Sequence, residues 1–197
     1  MELEVTFETV ITVVDKLMRD QRAISDLSAA EKTFWLTWSF QAETDNGGLR
    51  QFFFNNSGEW AQETVDALKD VGASEIADLL QNAINLFPDR TASPITTVRR
   101  DTLKTMEASL FQPIENLYYQ RNDILNDLMI KHVKKNMVAT ILPLFINEAS
   151  AKADNEFRNK NYRGVVDLLS QYESHLQKTH LTRLTISRKK IENQEES

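Results

Sequence analysis

Glu59, Glu63, Asp66 and Asp70 follow one another at intervals of four, three and four residues. On a helix turning ~100° per residue they fall within about 60° of one another, with successive carboxylates ~4.5–6 Å apart along the axis. Trp60, Thr64, Ala67, Leu68 and Val71 take the opposite side. Such a helix buries one face and shows a row of negative charge on the other. The row offers a regular array of negative charge to a cationic surface, with a salt-sensitive attraction that mainly raises the on-rate. The same row is also what a solvated helix face looks like, with Glu59 and Glu63 favoured by the N-terminal dipole. A second constellation is the amide set Asn46, Gln51, Asn55 and Asn56. Buried amides must be hydrogen-bonded, so these residues either cap helix ends at a chain break or, with Arg50 and Ser57, line a small polar pocket.

Signals for catalysis are weak. The chain contains no Gly-x-Ser-x-Gly elbow, P-loop, His-Glu-x-x-His or dinucleotide fingerprint. His175 and His180 are five residues apart, which places them off a common helix face, and His132 is distant in sequence. Asp123 and Asp127 are four apart but lie near Arg121 and Lys131, which reads as a solvated charge ladder. The residue pattern therefore points to a non-enzyme without cofactor or metal.

These groups are carried by helices. Only four prolines and five glycines punctuate 197 residues, and apolar residues recur at helical spacing nearly throughout, so the expected class is all-α. Val10, Val13, Val14, Leu17 and Met18 predict a helix over 5–20. Ser28 and Glu31 form a capping box for a helix through Phe34, Trp35 and Trp38 that stops at Asn46-Gly47. The next helix is expected over 57–71, ended by Gly72, and another from Ser74 to the loop at Pro88. Ser93-Pro94 predicts a helix start with Pro at its first position, over about 94–110, and a further helix is expected from Glu115 to Asn136. Past residue 138, Ala149, Ala153 and Phe157, then Tyr162, Val165, Val166 and Leu169, predict a helical hairpin spaced like one tetratricopeptide-type unit. The expected division is a helical domain over 1–136, a hairpin extension docked on it over 137–192, and a polar tail over 193–197.

Charge narrows the partners. The net charge is −6, but residues 1–86 carry 15 Asp/Glu against 6 Lys/Arg, whereas residues 87–197 carry 14 against 17. The first part suits a basic protein partner. The basic clusters Arg99-Arg100, Lys131/Lys134/Lys135 and Arg188-Lys189-Lys190 are small and lack interleaved aromatics, which argues against direct nucleic-acid binding. There are no cysteines, no apolar run of membrane length and no signal-peptide pattern at Met1-Glu2-Leu3-Glu4. A cytoplasmic protein without membrane contact, monomeric or homodimeric, is expected.

Three of the five glycines fall within Asn46-Gly47-Gly48-Leu49-Arg50-Gln51-Phe52-Phe53-Phe54-Asn55-Asn56-Ser57-Gly58. Glycine disfavours one continuous helix and three phenylalanines disfavour a solvated loop, so a helix stop, a buried turn and a new start are expected. The segment resembles the NGG-x-x-Q-F/Y-F/Y-x-N-x-S-G signature of the bacterial DNA-mimic-protein family, a helical domain of uncharacterised function. Ala67-Leu68-x-x-Val71-Gly72-Ala73 and Leu86-Phe87-Pro88 are similar to further family features. Over roughly residues 28–136 the resemblance implies a compact helical fold and a non-catalytic module in which Glu59, Glu63, Asp66 and Asp70 bind a basic, DNA-binding partner such as a regulator. Asn46, Gly47, Gly48, Gln51, Phe52, Phe53, Asn55, Ser57 and Gly58 are the matching signature positions, with a structural or ligand-binding role. The chain departs from the family at Asn116-Leu117-Tyr118-Tyr119, where an acidic pair is expected, and in its modest negative charge and helical extension. An immunity or antitoxin-like role is the nearest alternative. A small polar-ligand binder or enzyme at the amide-rich turn is the alternative from another class.

Overall fold

The computed structural model describes residues 3–20 and 23–195. All regular structure among them is helical: α1 (Phe7–Asp20), α2 (Ala29–Phe54), α3 (Ala61–Asp70), α4 (Ser74–Ile84), α5 (Thr96–Thr105), α6 (Gln112–Tyr119), α7 (Ile124–Asn136), α8 (Val138–Arg158), α9 (Tyr162–Leu169) and α10 (Lys178–Glu195). Two compact units divide the chain: Val5–Met137, and Val138 onward together with residues 3–4. No described helix is long and apolar enough to cross a membrane.

In the first unit, Val10, Val13, Val14 and Leu17 form the buried stripe of α1. The capping box forms as expected: the Glu31 amide donates to Ser28 Oγ at 3.3 Å and the Ser28 amide to Glu31 Oε2 at 3.1 Å. The core centres on aromatic residues. Phe40 and Phe52 meet edge-on at 5.2 Å, Phe53 and Phe87 at 4.8 Å, and Phe53 stacks on Phe111 at 5.6 Å. Each such pair contributes about 0.5–1.5 kcal/mol beyond its burial. Phe52 and Phe53 are buried, but Phe54 is exposed, with the Arg100 guanidinium 4.5 Å over its ring.

Several boundaries differ from the sequence expectation, and α5 ends at Thr105 rather than near 110, with a separate 3-10 turn at Ala108–Phe111. The helix expected over 57–71 begins at Ala61, because Asn56–Trp60 forms a 3-10 turn. Ser93-Pro94 does not start α5. Ser93 Oγ accepts from the Ile95 amide and Ile95 is the N-cap residue. The helix expected over 115–136 is two helices, because the Tyr118 carbonyl accepts from both Arg121 and Asn122 amides and so closes α6.

In the second unit, α8 and α9 form the expected hairpin and α10 adds a third helix beside α9. The reversal after α8 places Lys160 at φ 60°, and Asn161 Oδ1 caps α9 by accepting from the Gly164 amide at 3.1 Å. Ile141, Ala149, Ala153, Val165, Leu169 and Leu184 make its core. Arg188 forks onto both Glu173 oxygens at 2.9 Å, and that hydrogen-bonded cation holds the exposed Glu173 carboxyl below its usual range. Helix α10 runs on through residues 193–195, and the last two residues of the expected polar tail lie outside the described residues, as do residues 1–2.

Candidate functional site

The signature segment breaks α2 at Gly47 and Gly48. Gly48 has φ 74° and ψ −177°, a region open to glycine alone, and a Cβ there would stand 2.4 Å from Glu115 Oε1. That oxygen accepts from the Leu49 amide at 2.8 Å, so a carboxylate from α6 caps the restarted helix at its positive end. Gln51 Nε2 and Asn55 Nδ2 both donate to Glu43 Oε2, at 2.7 and 2.8 Å. These two amides therefore tie the restarted segment to the helix before the break. Ser57 Oγ donates to the Phe52 carbonyl at 3.2 Å.

The far end of the segment is closed by α5. Arg99 is fully buried and donates through Nε to the Phe53 carbonyl at 2.6 Å, and through its terminal nitrogens to Ser93 and Asn55 carbonyls at 2.7 and 2.9 Å. Burial lowers its pKa, while the neighbouring Glu59 carboxylate acts in the opposite direction. Gly58 makes the approach possible: a Cβ at that position would lie 2.7 Å from Arg99 Nε and 2.9 Å from the Phe53 Cα. Arg100 Nε donates to the Phe54 carbonyl at 2.7 Å. In return, Arg50 caps α5 by donating to Leu103 and Met106 carbonyls at 2.8 and 3.4 Å.

Of the small basic pair Arg99-Arg100, the Arg99 guanidinium is a buried carbonyl clamp. Glu43, Glu115 and Arg99 organise the signature and were not singled out as site residues. Arg99 carried a readable signal, since it stands four residues before Leu103 on the buried side of α5. Beside the break, Asp45 Oδ1 accepts from Tyr118 Oη at 2.9 Å and Asn122 Nδ2 at 2.8 Å. Burial first, and Asp45 second, push the Tyr118 phenol well above its ordinary range. Asn46 and Gly47 are exposed at the turn.

The four expected stripe carboxylates separate into one and three. Glu59 lies on the 3-10 turn, half-buried, and accepts from the Thr96 hydroxyl. Glu63, Asp66 and Asp70 lie on α3 and are exposed, and among the described residues none of them is in an ion pair. They rise over roughly 10 Å along the axis within about 60° of arc. The reverse face of α3 buries Ala61, Thr64, Val65, Ala67 and Leu68, which fixes the orientation of the row. On the adjoining α4, Glu75 and Asp78 are also exposed, and Gln62 Nε2 donates to Gln81 Oε1 at 3.0 Å to join the two helices. Glu75 accepts from Arg121 Nε at 3.0 Å.

A family model described as DMP19-like protein matches residues 25–136. No curated protein and no solved structure matches the chain. The matched segment takes in the broken helix α2, its clamps from α5 and α6, and the exposed carboxylates of α3. It covers more than half of the 197 residues, and the chain belongs to the family of DMP19-like proteins.

Proposed function

We propose that this chain is a non-catalytic, protein-binding module that acts as a DNA mimic, presenting Glu63, Asp66 and Asp70 to the nucleic-acid site of a basic DNA-binding protein. The observation that carries the reading is the row of three exposed carboxylates without cation partners on a helix whose opposite face is locked into the core. A solvated helix face that served only solubility would gain from interspersed lysines, and Lys69 is the single cation on α3. Membership of the DMP19-like family is consistent with this role. The rival reading at the amide turn is less favoured, because Gln51, Asn55, Ser57 and Arg50 are engaged in holding the chain. Glu59 supports the module from within rather than contacting the partner.

The test is retention of proteins from a bacterial lysate on the immobilised chain, beside a Glu63→Gln/Asp66→Asn/Asp70→Asn variant, at low and high salt. Enrichment of DNA-binding proteins on the intact chain alone, with release by salt, is the expected result. At about 1 kcal/mol per lost ion pair the triple variant should bind roughly 10²-fold more weakly. Equal retention by both chains would refute the role of α3. Retention of a nuclease or other toxin in place of DNA-binding regulators would select the immunity reading.

A further inference from the structure

Leu36, Ser39 and Glu43 recur at intervals of three and four along one face of α2, with Trp35 beside them. Opposite this face lie the Asn56–Trp60 turn and Thr64 of α3, and between them opens a cavity of about 420 Å³. Trp35 and Trp60 supply indole walls, while Glu43, Glu59, Asn56 and Ser57 supply polar groups. The size is that of a small-ligand site.

Glu43 sets the chemistry of this cavity. Its Oε2 accepts from Gln51 and Asn55, so the carboxylate is fixed in position by two neutral donors. Among the described residues it has no ion-pair partner, and it is only half-buried. The result is an oriented negative charge in a recess beside two indoles. Glu59 adds a second carboxylate to the lining, with one oxygen engaged by Thr96. An anion would be repelled, and a neutral ligand would leave the charge unanswered. Indole faces attract cations, and the chain already uses one of them so: Lys32 Nζ stands 4.8 Å from the Trp60 ring centroid.

We propose that this cavity binds an organic cation, an ammonium or guanidinium on an alkyl stem, with the head against Glu43 and the stem along Trp35 and Trp60. The signature amides then have a purpose beyond joining two helical segments, since they aim the carboxylate. The site does not involve Glu63, Asp66 or Asp70 and stands independently of the DNA-mimic reading.

The cation could be a free amine or a Lys or Arg side chain of another protein. The test is a tryptophan-fluorescence titration of the full chain, in which two of the three tryptophans line the cavity. The probes are agmatine, n-butylammonium, an N-acetylated and C-amidated Gly-Arg-Gly peptide, and n-butanol as the neutral isostere. Saturable responses to the cations, at least tenfold weaker for butanol, are expected. Tighter binding of agmatine than of the peptide identifies a free amine as ligand, and the reverse identifies a protein side chain. Glu43→Gln keeps an acceptor for Gln51 and Asn55 but removes the charge, and should weaken cation binding at least tenfold in a chain whose circular-dichroism spectrum shows it still folded. Absence of a saturable response, or butanol binding as well as butylammonium, overturns the proposal without recourse to any variant. Undiminished binding by a folded Glu43→Gln chain overturns it as well.

Discussion

Replacing Arg99 by Met keeps the apolar stem out to the place of Nε and removes every donor. Three carbonyls lose a charge-assisted partner: Phe53 at 2.6 Å, Ser93 at 2.7 Å and Asn55 at 2.9 Å. Bonds to a charged group contribute about 1.5–3 kcal/mol each, but they do not simply add. The Ser93 and Asn55 bonds are only part-buried, so water can replace the guanidinium there. The Phe53 bond is buried, and its carbonyl would be left without a partner at a cost of about 1–3 kcal/mol. Relief of the desolvation that lowers the Arg99 pKa works in the opposite direction. The balance is a loss of about 2–3 kcal/mol. Urea unfolding followed by tryptophan fluorescence reads this cleanly, because Trp35, Trp38 and Trp60 all lie in the first unit. With a slope of about 2 kcal/mol per molar urea, the midpoint should fall by roughly 1–1.5 M. Arg99→Lys, a single point charge without the planar fork, should recover part of the loss. A fall of less than about 0.5 M for Arg99→Met would refute the clamp, since it would mean under about 1 kcal/mol.

Three further outcomes follow from the same geometry. Gly48→Ala should cost about 3 kcal/mol by urea unfolding, from a backbone region closed to alanine and the displacement of Glu115 from the Leu49 amide. Adding Glu115→Ala to it should cost much less than a second independent loss. Tyr118 holds its proton more tightly folded than unfolded, so the unfolded chain loses that proton first as pH rises. Its contribution is complete below the ordinary tyrosine pKa and declines above about pH 10, by at most about 1.4 kcal/mol per pH unit. Tyr118→Phe should flatten the alkaline limb of a melting-temperature profile relative to the parent, and an unchanged limb would contradict the assignment. Asp70→Asn, in the last turn of α3, should raise stability by about 0.3–1 kcal/mol, since a carboxylate at the negative end of a helix beside Asp66 is unfavourable. A loss of stability on this change would show that Asp70 has a structural partner.

The all-helical class and most helix positions follow from apolar spacing and from two local devices, the Ser28–Glu31 box and the glycine break, because these are short-range effects written within a few residues. The division of 115–136 into two helices was hidden, because a backbone closure ends α6, the Tyr118 carbonyl accepting from the Arg121 and Asn122 amides, with no Gly or Pro to signal it. The same holds at the site. Exposure of Glu63, Asp66 and Asp70 could be read from the helical period, whereas Glu59 lies aside on a 3-10 turn beside which Arg99 enters from α5. Glu43 gave no local sign, since only folding brings Gln51 and Asn55 onto one of its oxygens.

Mimicry makes a demand that mere association does not: the partner cannot hold DNA and this chain together. The most direct measurement is fluorescence anisotropy of a labelled duplex bound by a DNA-binding protein captured on the chain, titrated with the free chain at two salt concentrations. The account predicts release of the duplex as the chain is added, with the Glu63→Gln/Asp66→Asn/Asp70→Asn variant roughly 10²-fold less effective and the difference narrowing at high salt. Persistence of full duplex anisotropy while the chain joins the complex, or equal displacement by the triple variant, would contradict it.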